Sequence, residues 1–167
     1  IANSKLGIVK IEDIIQGGVV MENVGLKWYK CDFHLHTMNS RCYKNKEIDT
    51  VNEWIEEVKN KGLKCIAVTD HNDYRKIDEI KKLGEENNIV VFPGVELSCD
   101  SSKIHVLVLF DIDCDGNNVQ EFLNQLKIFK DNLGDSGHTA DGDIFHACET
   151  AQLKGALVIP AHIDEFS

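Results

Sequence analysis

No apolar stretch in this 167-residue chain approaches the eighteen or so residues that a membrane helix needs, so membrane insertion is not expected. Basic residues are also in short supply: 18 Lys and Arg face 28 Asp and Glu, and a formal charge of −10 opposes long-range attraction to a nucleic-acid backbone. A stand-alone DNA-binding module is disfavoured on that ground. Bound divalent cations would reverse the local sign, so the charge leaves phosphate substrates open. The six cysteines, at 31, 42, 65, 99, 114 and 148, include no CxxC pair and follow no recognisable secretory leader. They read as reduced thiols in a cytoplasmic protein. No internal repeat or low-complexity block is present. With 43% hydrophobic residues, the length suits one core better than two domains.

Residues 1–27 hold short apolar runs broken by Gly17, Gly18 and Gly25, which suits a small hairpin or an irregular lead-in. From Trp28 the pattern sharpens. The strand-like run WYKCDFHLH empties into the polar HTMNSRCYKNK. In DTVNEWIEEVKNKG, Val51, Trp54, Ile55 and Val58 share a helical face, Thr50 and Glu53 are placed for a capping box, and Gly62 for the stop. There follow a strand KCIAVTDH, a helix DYRKIDEIKKLGEENN, strands IVVFPGVE and KIHVLVLF, and a helix NNVQEFLNQLKIFKDN. A soft linker GDSGHTADGD then leads to a helix IFHACETAQLKG and a strand ALVIPAH. Alternating strands and helices predict a parallel α/β fold.

Five histidines and one glutamate fall at or beside these strands: His34, His36, His71, Glu96, His105 and His162. In parallel α/β folds the carboxyl ends of successive strands converge on one face, where residues distant in sequence can hold one ligand. Alternation along a strand points His34 and His36 to the same side, with Asp32 facing that side too and able to orient a ring. A single strand histidine is more often a core or surface residue. Glu96, at the end of an apolar run, shifts the balance, because a buried carboxylate is costly unless paired, protonated or on a metal. His105 fits least well, since it opens its strand.

Other residues have simpler readings. DIDCDGNNVQE starts like a calcium loop but places Phe122 where the bidentate glutamate belongs, so it reads as a turn and helix cap. His138 and His146 are expected in surface or packing roles, and Trp54 in the core. Arg41, Lys44, Lys46 and Arg75 follow the HxH and TDH segments and are candidates to neutralise phosphate oxygens.

The ordered set DFHLHT, TDHN, GVE, a His opening an apolar strand, and PAHID resembles the PHP domain, the polymerase and histidinol phosphatase superfamily, over roughly residues 28–164. GLKWYKCDFHLHT is also similar to the start of PHP modules fused to TrlF-type ATPases. The resemblance implies a distorted (β/α)7 TIM-like barrel over 28–167, lacking its last strands. It further implies a cluster of two or three zinc, manganese or iron ions that hydrolyses a phosphorylated small molecule or a nucleic-acid end. By that resemblance His34 and His36 hold one ion, Glu96 bridges it to a second held by His105 and His162, and His71 belongs to a third site. Asp70 and Arg41 join Glu96 as catalytic candidates. Rival implications are a metal-binding regulatory module of a larger ATPase, and hydrolysis of C–N bonds. Two departures stand out. The family's last Asp and His pair falls beyond Ser167, and Arg41 and Cys42 stand where many relatives carry His or Asp. Cys42 either ligates a soft ion as thiolate or only packs.

Overall fold

The computed structural model describes residues 28–45, 47–99 and 104–163. The expected lead-in over 1–27 and the candidate Lys46 lie outside them. Five strands form one curled sheet in the order β1 (Lys30–Leu35), β2 (Leu63–Val68), β3 (Val90–Cys99), β4 (Ile104–Leu109), β5 (Leu157–Pro160). Among the described residues four helices accompany them: α1 (Val51–Asn60), α2 (Ile77–Glu86), α3 (Gly116–Gln125) and α4 (Ile144–Leu153), with a 3-10 turn at Lys130–Asn132. The result is a mixed α/β half-barrel.

Helix α1 begins where the sequence places it. The Thr50 side chain accepts from the Glu53 amide while the Glu53 carboxylate accepts from the Thr50 amide, so the two residues satisfy each other's free donors. Val51, Trp54, Ile55 and Val58 then bury one face of the helix. They meet Ile66, Val68, Val95, Leu97, Val106 and Val108 from the sheet, together with Ile77 and Ile80 of α2 and Val119, Phe122 and Leu123 of α3. Phe122 is fully buried, and each such side chain contributes roughly 1.5–3 kcal/mol. Ala67, Leu107 and Leu109 pack on the other face of the sheet with Phe92 and Ile159.

The sheet departs from the parallel expectation. β1–β2 and β2–β3 are parallel, but β3–β4 and β4–β5 are antiparallel. The reason is a short connection: Cys99 ends β3 and Ile104 begins β4, too few residues for a parallel crossover, which takes a dozen or more. Reversal of β4 carries its first residues to the edge where β1 and β2 end. His105 therefore opens its strand and still reaches the site.

Helix α3 ends at Gln125, short of the expected Asn132. Lys127 adopts a left-handed backbone (φ 56°), and a non-glycine residue there breaks the helical run. The linker after it is tied down. Its Ala140 amide donates to Ser98 O, Ser98 Oγ donates to Ser136 O, and the Asn72 side-chain amide donates to the carbonyls of Asp135 and His138. Within it, Gly134 accepts from the Arg41 amide and donates to His71 O. Its φ of 79° and a Cβ position only 2.2 Å from Asn39 O leave room for glycine alone.

Candidate metal centre

Glu96 is fully buried in β3 and its carboxylate is the focus of five imidazoles. Oε2 lies 3.0 Å from His34 Nε2, 3.0 Å from His36 Nε2 and 3.4 Å from His71 Nε2. Oε1 lies 2.8 Å from His105 Nδ1 and 3.2 Å from His162 Nε2. All six expected ligand residues are thus brought together. Backbone pairing fixes the centre: the Glu96 amide donates to Asp70 O, and the Asn72 amide donates to Glu96 O. Asn72 and His162, both beside or within the cluster, have left-handed backbones (φ 50° and 56°), a conformation that costs a non-glycine residue about 1–2 kcal/mol.

The HxH pair comes from an irregular strand. β1 slips one position against β2 between Asp32 and Leu35. Phe33 can then meet Phe92 on one face while Leu35 packs into the helix-side core. The Asp32 carboxylate accepts from the His34 backbone amide at 3.1 Å and is not seen to orient a ring, which corrects that expectation.

Electrostatics follow from this crowding. Burial works against the Glu96 charge, but the hydrogen bonds of His34 and His36 and the proximity of His71 outweigh it and hold the carboxyl well below the usual range. His34 is pushed up by its hydrogen bond to Glu96. His71, deep in the fold, is pushed down to about 4 by burial, and its Nδ1 is buried with no hydrogen-bond partner.

Asp70 stands behind the cluster. Burial raises its carboxyl, opposed by three hydrogen bonds: from the Thr37 amide (2.7 Å), Thr37 Oγ1 (2.6 Å) and Ser40 Oγ (2.7 Å). Ser40 Oγ also meets the His71 amide at 3.0 Å and His36 Nδ1 at 3.1 Å. A hydroxyl has one proton, and Ser40 gives it to Asp70. His36 Nδ1 therefore donates to Ser40, and its Nε2 is the nitrogen turned to Glu96. Trp54, buried in the core as expected, donates from Nε1 to His36 O at 3.0 Å. Thr37, Ser40 and Asn72 were not singled out from the sequence; the legible signal was the Thr and Ser spacing within HTMNS.

The basic candidates are placed differently. Arg41 Nη1 pairs with Asp135 at 2.6 Å, its side chain more than half exposed, and Arg75 pairs with the buried Asp73. Neither guanidinium contacts Glu96. Lys44 is exposed on the turn after β1, and His138 and His146 make no contact with the cluster. A separate cleft of about 560 Å³, lined by Asp78, Lys81, Lys82 and Glu85, shares no residue with the cluster, and its Lys81 is engaged by the carbonyls of Ile112 and Cys114.

The donor set fits divalent metal. Two donors on one tetrahedral ion with bonds of about 2.1 Å stand about 3.4 Å apart, close to the spacings around Glu96. His34, Glu96 and His162 offer ligand atoms within 4.8 Å of one another, as do His71, Glu96 and His105, and also His36, Cys42 and His71.

A sequence model of the PHP domain matches residues 32–153, most of the chain. The chain belongs to the PHP domain family. An uncharacterized protein of Methanocaldococcus jannaschii is 33% identical over 104 residues, covering 59% of this chain and 61% of that protein. Two solved structures resemble this chain in fold. One, from Bifidobacterium adolescentis, bears a tentative name of metal-dependent phosphoesterase and aligns over 79% of this chain and 66% of its own (TM-score 0.57, 15% identity). The other, a two-domain protein from Bacteroides vulgatus containing a predicted PHP-like metal-dependent phosphoesterase, aligns over 78% and 34% (TM-score 0.52, 19% identity). This PHP chain thus spans about three fifths of its archaeal relative and about a third to two thirds of the solved structures. No helix among the described residues is long and apolar enough to cross a membrane.

Proposed function

We propose that this PHP domain is a metal-dependent phosphoesterase that hydrolyses a phosphorylated small molecule or a nucleic-acid end at the Glu96-centred cluster. The observation that carries the metal reading is the convergence of five imidazoles on one fully buried carboxylate, with ring nitrogens 2.8–3.4 Å from the Glu96 oxygens. Imidazole and carboxylate are the donor set that a divalent transition metal takes.

Glu96 would be shared between metal ions, because its two oxygens divide the histidines into two sets: His34, His36 and His71 on Oε2, His105 and His162 on Oε1. Zinc, manganese or iron held by these residues would supply a water of lowered pKa and neutralise charge on the phosphoryl oxygens. The chain's own contribution is orientation. Asp70 and Ser40 fix the His36 tautomer, Trp54 holds the His36 carbonyl, and the strand pairing of Glu96 holds the bridging carboxylate rigid. Asp70 is on this reading a positioning residue. Arg41, held by Asp135, is not assigned a role in the chemistry.

The test is turnover of p-nitrophenyl phosphate and bis-p-nitrophenyl phosphate after loading with zinc, manganese or iron, beside amide substrates under the same conditions. Phosphoester cleavage abolished by Glu96→Gln is the expected result. Amide cleavage alone would assign the cluster to C–N bonds. Stoichiometric metal without turnover of either would leave a metal-binding regulatory module.

A further inference from the structure

Two cysteines with no part in the cluster face each other across the first two strands. Cys31 of β1 is the register partner of Cys65 of β2, and the strands run parallel. Ala67 packs on the sheet face turned away from the helices, and alternation puts Cys65 on that face too, with Cys31 beside it. Neighbouring strands lie about 4.7–4.9 Å apart, inside the range of roughly 4.4–6.8 Å between Cα atoms that a disulfide spans. Both thiols are free, and their side chains interact: burial and the adjacent Cys31 push the Cys65 thiol up to about 12.

The pair is asymmetric. Cys31 is exposed, whereas Cys65 is fully buried and inert on its own. A small oxidant therefore meets Cys31 first, and the buried thiol is the group that the oxidised sulfur finds next. We propose that Cys31 and Cys65 form a peroxide-sensitive redox pair whose oxidation links β1 to β2. In the first step the Cys31 sulfur takes one oxygen from the peroxide, the O–O bond breaks, and water leaves a sulfenic acid behind. The Cys65 sulfur then attacks that sulfur; the S–O bond breaks, the S–S bond forms, and the hydroxyl departs as water with the Cys65 proton. Each cysteine loses one electron and the peroxide gains two. Among the described residues β1 is paired on one side only, and it carries His34, so the bond ties an edge strand of the candidate centre to its neighbour. The inference does not rest on the metal reading.

The test treats the whole folded chain with hydrogen peroxide, caps the remaining thiols by alkylation in denaturant, and maps the cysteines by proteolysis and mass spectrometry. The expected product is a peptide pair joined through Cys31 and Cys65, lighter by two hydrogens, at least about ten-fold more abundant than any other cysteine pairing, and reversed by dithiothreitol. Cys42 is the internal control, since it is also exposed but lies on a turn with no strand beside it. Cys31→Ser, a change at an exposed position, should abolish the link, and in urea the wild-type preference for this pairing should vanish. The wild-type comparison decides the matter even if the variant does not fold. Oxidation of Cys31 to the sulfinic acid with Cys65 left as a thiol would overturn the pair, as would links to Cys42 in equal yield or the same preference in urea.

Discussion

Replacing Ser40 with alanine removes one hydroxyl that serves three partners, which makes it a sharp test of how the centre is held. Ser40 is buried, donates to Asp70, and accepts from the His71 amide and from His36 Nδ1. A hydrogen bond to a charged group contributes about 1.5–3 kcal/mol, and a buried amide left without an acceptor costs about 1–3 kcal/mol. Their sum, on the order of 2.5–6 kcal/mol for the metal-free protein, corresponds to a fall in Tm of roughly 5–24 °C for a domain of this size. Zinc affinity should fall about 10- to 100-fold as well, because the His36 ring loses the partner that fixes its tautomer. Urea unfolding and zinc competition against a chromophoric chelator read the two effects. Nitrogen-15 spectra of the metal-free wild type at pH 8 should show His36 protonated at Nδ1. A Ser40→Ala protein within about 0.5 kcal/mol of wild type and of unaltered zinc affinity would refute the reasoning, as would a His36 ring without a proton on Nδ1.

Glu96→Gln should bind less metal by elemental analysis than His138→Ala or His146→Ala, which should match wild type; equal content in all three would contradict the bridging role. Removing metal with a chelator should lower Tm, since ions that bind only the folded state at a thousand times their Kd contribute about 4 kcal/mol, and an unchanged Tm would count against the cluster. Thr50→Ala breaks the capping box of α1, and Thr50 itself hydrogen-bonds none of the candidate ligands. It should cost about 0.5–2 kcal/mol in urea unfolding with zinc affinity intact, and a loss of affinity instead would show that the first turn of α1 transmits to the site through Trp54.

The sequence was most legible where chemistry is local. The Thr50 and Glu53 cap and the buried face of α1 follow from spacing and residue type, because caps and helical periodicity are properties of a few neighbouring residues; the six candidate ligand residues stood out by type and by their place at strands, and the fold brings them together. Strand direction was less so. The few residues between Cys99 and Ile104 already exclude a parallel crossover, but the alternation of strands and helices elsewhere masked that signal. The slip in β1 and the Ser40 relay depend on what lies across the sheet from each residue, and one-dimensional patterning cannot report that. Cys42 was legible as a candidate; its proximity to His36 and His71 was not.

The reversal of β4 also bears on the order in which the centre assembles. Glu96 and His105 are only 9 positions apart and meet across one hairpin, whereas His34 and His162 stand 62 and 66 positions from Glu96. Closing a loop of about 62 residues instead of 9 costs roughly 1.7 kcal/mol more in chain entropy. A chain that has closed only this hairpin therefore brings a carboxylate and an imidazole together at the lowest entropic cost, and on the metal reading the Oε1 side of Glu96 is where an ion would first find two donors.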